Sequence, residues 1–142
     1  MEKITVKTKV HAPAEKVWEL WNNPEHIVQW NTATPEWHSP MAENDLRPGG
    51  DFNIRMEAKD GSFGFDFEGT YDEVVAHKYL AYTLADGRKV TIHFRQEGPG
   101  TEIEETFDAE DQNPIAMQRE GWQAILDNFK VYAEKMDKTI NS

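Results

Sequence analysis

The stretch NPIAMQREGWQAILDNFKVYAEKMDK, residues 113–138, decides how the rest of the chain must fold. Trp122, Ile125, Leu126, Phe129, Tyr132, Ala133 and Met136 recur at three- and four-residue steps, which makes one apolar stripe along a helix. Asn113 suits the N-cap, and Pro114 suits the first helical position, where no N–H is needed. At about 1.5 Å per residue, a helix of roughly 25 residues is about 37 Å long, as long as a small domain is wide. Five successive strand-like runs precede it with no helix among them. The helix must therefore lie across a sheet, and a curved sheet closing on so bulky a stripe leaves a cavity between the two.

Working back from this helix, the strand-like runs form a meander. Phe52, Ile54 and Met56 mark one strand, and Asp60–Gly61 reads as a two-residue hairpin turn into Phe63, Phe65 and Phe67. That strand runs on through Tyr71 to Val74. Leu80, Tyr82 and Leu84 form the next, Asp86–Gly87 turns the chain into Val90, Ile92 and Phe94, and Gly98–Pro99–Gly100 turns it again into Ile103 and Phe107. Asp66 and Glu68 alternate with Phe65 and Phe67 and belong on the solvent face.

The N-terminal part reads as one strand and two short helices. Ile4, Val6, Thr8 and Val10 alternate with Lys3, Thr5, Lys7 and Lys9, the pattern of a half-buried strand. Pro13 opens a helix near 13–21 with Val17, Trp18, Leu20 and Trp21, and Asn23–Pro24 starts another near 24–30. Residues 31–48 read as a polar, proline-spaced, irregular segment closed by the turn Arg47–Pro48–Gly49–Gly50. Strands segregated from helices predict an α+β domain with six or seven antiparallel strands.

Composition narrows the function classes. A chain of 142 residues suits a single domain over 1–142, long enough to hold a core without staples. It has no cysteine, which excludes disulfides, thiolate metal sites and cysteine nucleophiles and fits a cytoplasmic location. No apolar run approaches the ~20 residues of a membrane span. Fifteen Lys and Arg against 26 Asp and Glu give a net charge of −11, which argues against nucleic acid and anionic membranes as partners.

Several segments together carry a family resemblance: His11-Ala-Pro-Ala-Glu-Lys-Val-Trp18, Pro24-Glu-His-Ile-Val-Gln-Trp30, Asp45-Leu-Arg-Pro-Gly-Gly50, Gly69-Thr-Tyr71, Leu80-Ala-Tyr-Thr83 and Gly121-Trp122. In this order they resemble the activator of heat-shock-protein-90 ATPase-like family of the START-like (Bet v, or SRPBCC) superfamily. The resemblance implies a helix-grip fold: a strongly curved antiparallel sheet wrapped around the C-terminal helix. Relatives of this kind include apolar-ligand carriers, polyketide cyclases and co-chaperones, so fold does not fix function. It adds a chaperone contact to the partners considered. The chain shows no obvious second domain, unlike the eukaryotic-type co-chaperones that give the family its name.

The candidate site is aromatic. Trp30, Trp37, Phe67, Tyr82 and Trp122 are expected to line a pocket, because tryptophan and tyrosine bring a polar tip with their apolar area. Phe52, Met56 and Phe94 face the same interior, and His38 stands beside Trp37 at the rim. Trp18 and Phe129 read as core, His26 as a surface or cap residue, and His77 as a solvated turn residue. The five histidines form neither HxH nor HExxH, so no metal, cofactor or catalytic residue is assigned.

Glu105 breaks the pattern. In Thr101-Glu-Ile-Glu-Glu-Thr-Phe107, alternation aims it into the cavity with Ile103 and Phe107, whereas a β-bulge would turn it outward beside Glu102 and Glu104. The expectation is an apolar small-molecule binding protein with a cavity of roughly 300–1,000 Å³. The alternatives are a protein-interaction module and an enzyme using Glu105 with His38 or Tyr82 as acid–base groups.

Overall fold

The computed structural model describes residues 2–141, with side chains through Asp137. Its elements are β1 (Lys3–Val10), α1 (Ala14–Asn22), α2 (Pro24–Trp30), β2 (Trp37–Asn44), β3 (Asp51–Ala58), β4 (Gly64–Val75), β5 (Tyr79–Leu84), β6 (Lys89–Glu97), β7 (Gly100–Asp108) and α3 (Ile115–Asn141). The seven strands form one antiparallel sheet in the order β1-β7-β6-β5-β4-β3-β2, curled into a half-barrel around α3. This is the α+β arrangement expected from the strand and helix patterning, and the helix-grip fold that the resemblance implies.

The N-terminal strand closes the sheet against the last strand. β1 pairs with β7 from Lys3↔Asp108 to Val10↔Thr101 without a break. Outward-facing ends of this pair carry charge, with Lys3 Nζ 2.7 Å from Asp108 Oδ1 and Lys7 Nζ 3.1 Å from Glu104 Oε2. Ile4, Val6 and Val10 turn inward and are buried. At α2 the asparagine–proline signal does what it promises: Asn23 accepts the Glu25 N–H at 3.0 Å, and Pro24 begins the helix.

The structure corrects four local expectations. Residues 37–44 of the polar segment form the edge strand β2, paired with β3 and shifted in register between His38 and Met41 around Pro40. An edge strand with proline and one solvent face shows no apolar alternation to read. The β3–β4 loop is five residues, 59–63, rather than a two-residue turn; Ala58 N–H bonds Phe63 O, and Gly61 sits at φ 79° within it. Asn113 does not cap α3. The first helical hydrogen bonds run to Pro114 O, and Gln118 reaches back to brace the entry, donating to Glu110 O and Asn113 O and accepting from Glu110 N–H. His26 is not merely a surface residue: its Nδ1 lies 2.6 Å from Tyr132 Oη and docks α2 on α3.

The core is built where α3 meets the sheet and the short helices. Leu126, Phe129 and Ala133 are fully buried at one face of α3. Phe129 packs edge-on against Trp21 and Trp30, with ring centroids 4.8 and 4.9 Å apart, and Trp21 also meets Trp30 at 4.8 Å. The two Phe129 contacts are edge-to-face and the Trp21–Trp30 pair is tilted, arrangements that add to simple burial. α3 packs chiefly along β1 and onto α1 and α2. Trp122, nearer the N-terminal end of α3, is only half-buried and stacks flat on Phe107 at 3.8 Å.

Gly69 shows how closely the concave face is filled. A Cβ there would lie 2.5 Å from Thr83 O and 3.1 Å from the Phe52 ring. The absent side chain lets the Phe52 ring sit over β4 between Phe67 and Tyr71, at 5.8 and 5.3 Å.

Two outcomes test this packing. Phe129→Ala, which empties a fully buried ring site, is expected to lower unfolding free energy by about 3–5 kcal/mol in urea titrations. Gly69→Ala is expected to cost about 1–3 kcal/mol through overpacking against a backbone carbonyl; a melting temperature equal to that of the unmodified protein would contradict the packing described.

Candidate functional site

The curl of the sheet and the placement of α3 along β1 leave a cavity on the other side, under β3, β4 and β5. Phe52, Ile54 and Met56 of β3, Phe67 and Tyr71 of β4, Leu80 and Tyr82 of β5 and Glu105 of β7 form its floor; Trp21, Asn22, Ile27, Trp30 and Asn31 of the α1–α2 segment and Trp122 and Ile125 of α3 form its roof. Glu43 and Asn44 of β2 close the rim. The volume is about 80 Å³, well below the expected 300–1,000 Å³. The aromatic walls fill the space they were expected to enclose: Phe52 meets Tyr82 at 4.8 Å, and Phe67 reaches Trp122 at 5.9 Å across the gap.

Glu105 is the polar feature of this interior. β7 keeps regular register on both sides, with Glu105 opposite Val6 of β1 and Ile92 of β6, so no bulge turns it outward. It is 6% exposed and lines the cavity. Among the described residues no hydrogen bond or ion pair stabilises its carboxylate, and desolvation alone pushes its pKa up to about 8. The carboxyl is thus mostly protonated at neutral pH and presents an O–H donor beside an acceptor oxygen. Tyr82 shares the pocket. Burial first, then the field of Glu105, holds its phenol well above the usual range.

A second polar chain supports the rim. Tyr71 Oη donates to Asn44 Oδ1 at 2.6 Å, and Asn44 Nδ2 donates to Asn22 O at 2.8 Å, tying β4 through β2 to the end of α1. Burial raises the Tyr71 phenol too. Trp30 Nε1 donates to Leu20 O at 3.1 Å, which fixes the indole over the cavity.

The structure brings together Trp30, Phe52, Met56, Phe67, Tyr82, Glu105 and Trp122 from the expected set. It leaves three outside. Phe94 lies behind Trp21, packed against it at 5.7 Å and against Trp18 at 5.4 Å. Trp37 sits at the far tip of the sheet with Phe63 and Phe65, at 6.0 and 5.9 Å. His38 points to solvent, 3.7 Å from Glu57, because the register of β2 puts it opposite that residue. His38 is thus not among the residues that line the cavity with Glu105. Sequence reasoning missed Trp21, Tyr71 and Asn44. Tyr71 was legible, since it continues the Phe67–Gly69 alternation; Asn44 was hidden with the rest of β2.

Two other features complete the picture. Among the described residues no group of three or more His, Asp or Glu side chains is placed to hold a metal ion, and no helix is long and apolar enough to cross a membrane. A wider depression of about 530 Å³ lies open to solvent at the β3–β5 rim, among Asp51, Asn53, Glu68 and Thr70, without a buried charged group in it.

Comparison with known proteins agrees with this geometry. Over residues 11–134 the chain matches the family described as activator of Hsp90 ATPase homolog 1-like protein. It is similar to an AHSA1-like protein from Aeromonas hydrophila, solved in solution, at 45% identity and TM-score 0.89, covering 95% of this chain and 94% of that one. A solution structure from Cytophaga hutchinsonii is 53% identical at TM-score 0.82, covering 94% and 92%. A crystal structure from Nitrosomonas europaea, 21% identical at TM-score 0.83 over 96% of both chains, shares the fold. No curated protein matches the chain. With a family match spanning most of its length and the curled sheet gripping α3, the chain belongs to the activator of Hsp90 ATPase homolog 1-like family of the START-like superfamily.

Proposed function

We propose that this chain binds a small, mostly apolar molecule between the sheet and α3, with one polar or charged group of that molecule held at Glu105. One observation carries the reading: a buried carboxyl with no protein partner faces a cavity walled by aromatic rings. A buried polar group left unpaired costs about 1–3 kcal/mol, more when charged, and an apolar residue at this position would remove that cost. Retaining it fits a partner that arrives with the ligand. The cavity of about 80 Å³ accepts one end of such a molecule. The Phe67–Trp122 contact spans the cavity, with Trp122 half-buried.

A second reading has its own observation. Exposed Phe63 and Phe65 form an aromatic patch with half-buried Trp37 at the tip of the sheet, Phe63 being 63% exposed. Rings exposed together are what protein interfaces use, and the family's name supplies the partner, an Hsp90-type chaperone. The two readings separate cleanly. Flat aromatic fragments are expected to quench tryptophan fluorescence and shift NMR signals of Trp21, Trp30, Trp122 and their neighbours; shifts confined instead to Trp37 and its neighbours, or scattered over the surface, would remove the cavity reading.

The stability of the free protein gives an independent check on Glu105. Its folded pKa of about 8 lies above its unfolded value, so between about pH 4.5 and 8 the folded state holds the proton that the unfolded state has lost. Stability owing to this group therefore falls as pH rises through that window, by at most about 1.4 kcal/mol per unit. Glu105→Gln lacks this slope. The variant is expected to match the unmodified protein near pH 4 and to exceed it progressively toward pH 8, read from urea titrations at each pH. Parallel curves for the two proteins would place the carboxyl in water.

A further inference from the structure

The ionisable groups around the cavity are all acids. Its ionisable lining consists of two carboxyls, Glu105 in the floor and Glu43 at the exposed rim, and two phenols, Tyr71 and Tyr82. Each other element packed on it contributes neutral groups: Trp21, Asn22, Trp30 and Asn31 from the α1–α2 segment, Trp122 and Ile125 from α3, and Phe52, Ile54 and Met56 from β3. No Lys, Arg or His lines it among the described residues. An anionic ligand would oppose ionisation of Glu105. A cation would favour it.

The walls have the matching electronics. Trp30, Phe52, Phe67, Tyr82 and Trp122 surround one small space, and aromatic faces carry negative charge density that attracts a cation most strongly when water is excluded. The Tyr82 hydroxyl accepts as well as donates. A net charge of −11 favours approach of cations to the mouth over anions of the same shape. The volume of about 80 Å³ suits a compact head group rather than a whole ligand.

We propose that the ligand's buried end is a cationic nitrogen, an alkylammonium head held by Glu105 and boxed by the aromatic walls. This rests on the ligand site proposed above and specifies its occupant. Binding such a head requires the carboxylate, so a proton leaves Glu105 when the cation enters; affinity then rises with pH until the free site is already ionised.

Three probes with one branched carbon frame test it: choline, 3,3-dimethyl-1-butanol and 3,3-dimethylbutanoate, which differ in the charge they carry. Choline keeps its charge at every pH, so any pH dependence belongs to the protein. Binding is read from the Trp122 Nε1–H NMR signal and from tryptophan fluorescence. At about pH 9 choline is expected to bind at least about tenfold tighter than the alcohol, with no binding of the carboxylate. The preference should shrink on going to about pH 6, and should fall to about twofold or less in Glu105→Gln. Equal or tighter binding of the alcohol in the unmodified protein would overturn the cationic assignment while leaving the cavity reading intact. If none of the three binds but aromatic fragments still map to the cavity, the cationic head is again excluded. Failure of the fragments as well removes the underlying ligand site.

Discussion

Everything in this fold depends on how Phe129 is held. Its fully buried ring contacts Trp21 and Trp30 at under 5 Å, and it sits between fully buried Leu126 and Ala133 on the same helical face. That cluster joins α3 to both short helices at once. Trp21 passes the contact on to Phe94 of β6, so the helical layer is fastened to the middle of the sheet through rings. Because the anchor lies toward β1 and the short helices, α3 is pulled to one side of the concave face. The unoccupied side, under β3 to β5, becomes the cavity. Fold and site thus share one cause: an off-centre helix in a curled sheet.

The same geometry explains why Glu105 stays inside. β7 has a hydrogen-bonded neighbour on each side, β1 and β6, and both ladders run through Glu105 in regular register. A bulge there would break pairing twice. The bulges that occur are cheaper: one at Asp72, between β4 and β5, and one near Pro40, on edge strand β2. Glu105 is therefore buried by topology, and its desolvation follows from position rather than from any neighbouring charge. The outer face of β7 shows the contrast. Glu102 and Glu104 point away from the cavity, and Arg95 lies within 3.1 and 3.4 Å of them.

Legibility in the sequence followed burial. The helix stripe of residues 122–136 and the alternations of β1, β3, β5 and β6 could be read because each has one dry face and one wet face. They carried the architecture, the antiparallel order and the inward direction of Phe52, Met56, Phe67 and Tyr82. β2 was illegible because an edge strand need not alternate: Trp37–Asn44 holds a proline, a register shift and a single buried residue, Ser39. That single omission misplaced Trp37 and His38, since the face of a residue is undefined until its strand partner is known. Phe94 failed differently. Its inward direction was right, but α1 lies over that part of β6, and Trp18 and Trp21 take the contact that a ligand would need. Periodicity reports a face; it does not report which helix covers it.

The small cavity volume follows from the aromatic composition that first suggested a pocket. Large flat rings were read as walls around a space, yet rings also fill space, and Phe52 alone meets Phe67, Tyr71 and Tyr82. Gly69 exists to let that ring settle onto β4. A cavity formed this way is small and ring-lined, and Glu105 is the one buried carboxyl in its lining. The half-buried Trp122, stacked on Phe107 yet bridging to Phe67, is the boundary between core and opening. Trp122 lines the cavity and Phe129 does not, so cavity wall and core anchor fall on different turns of α3.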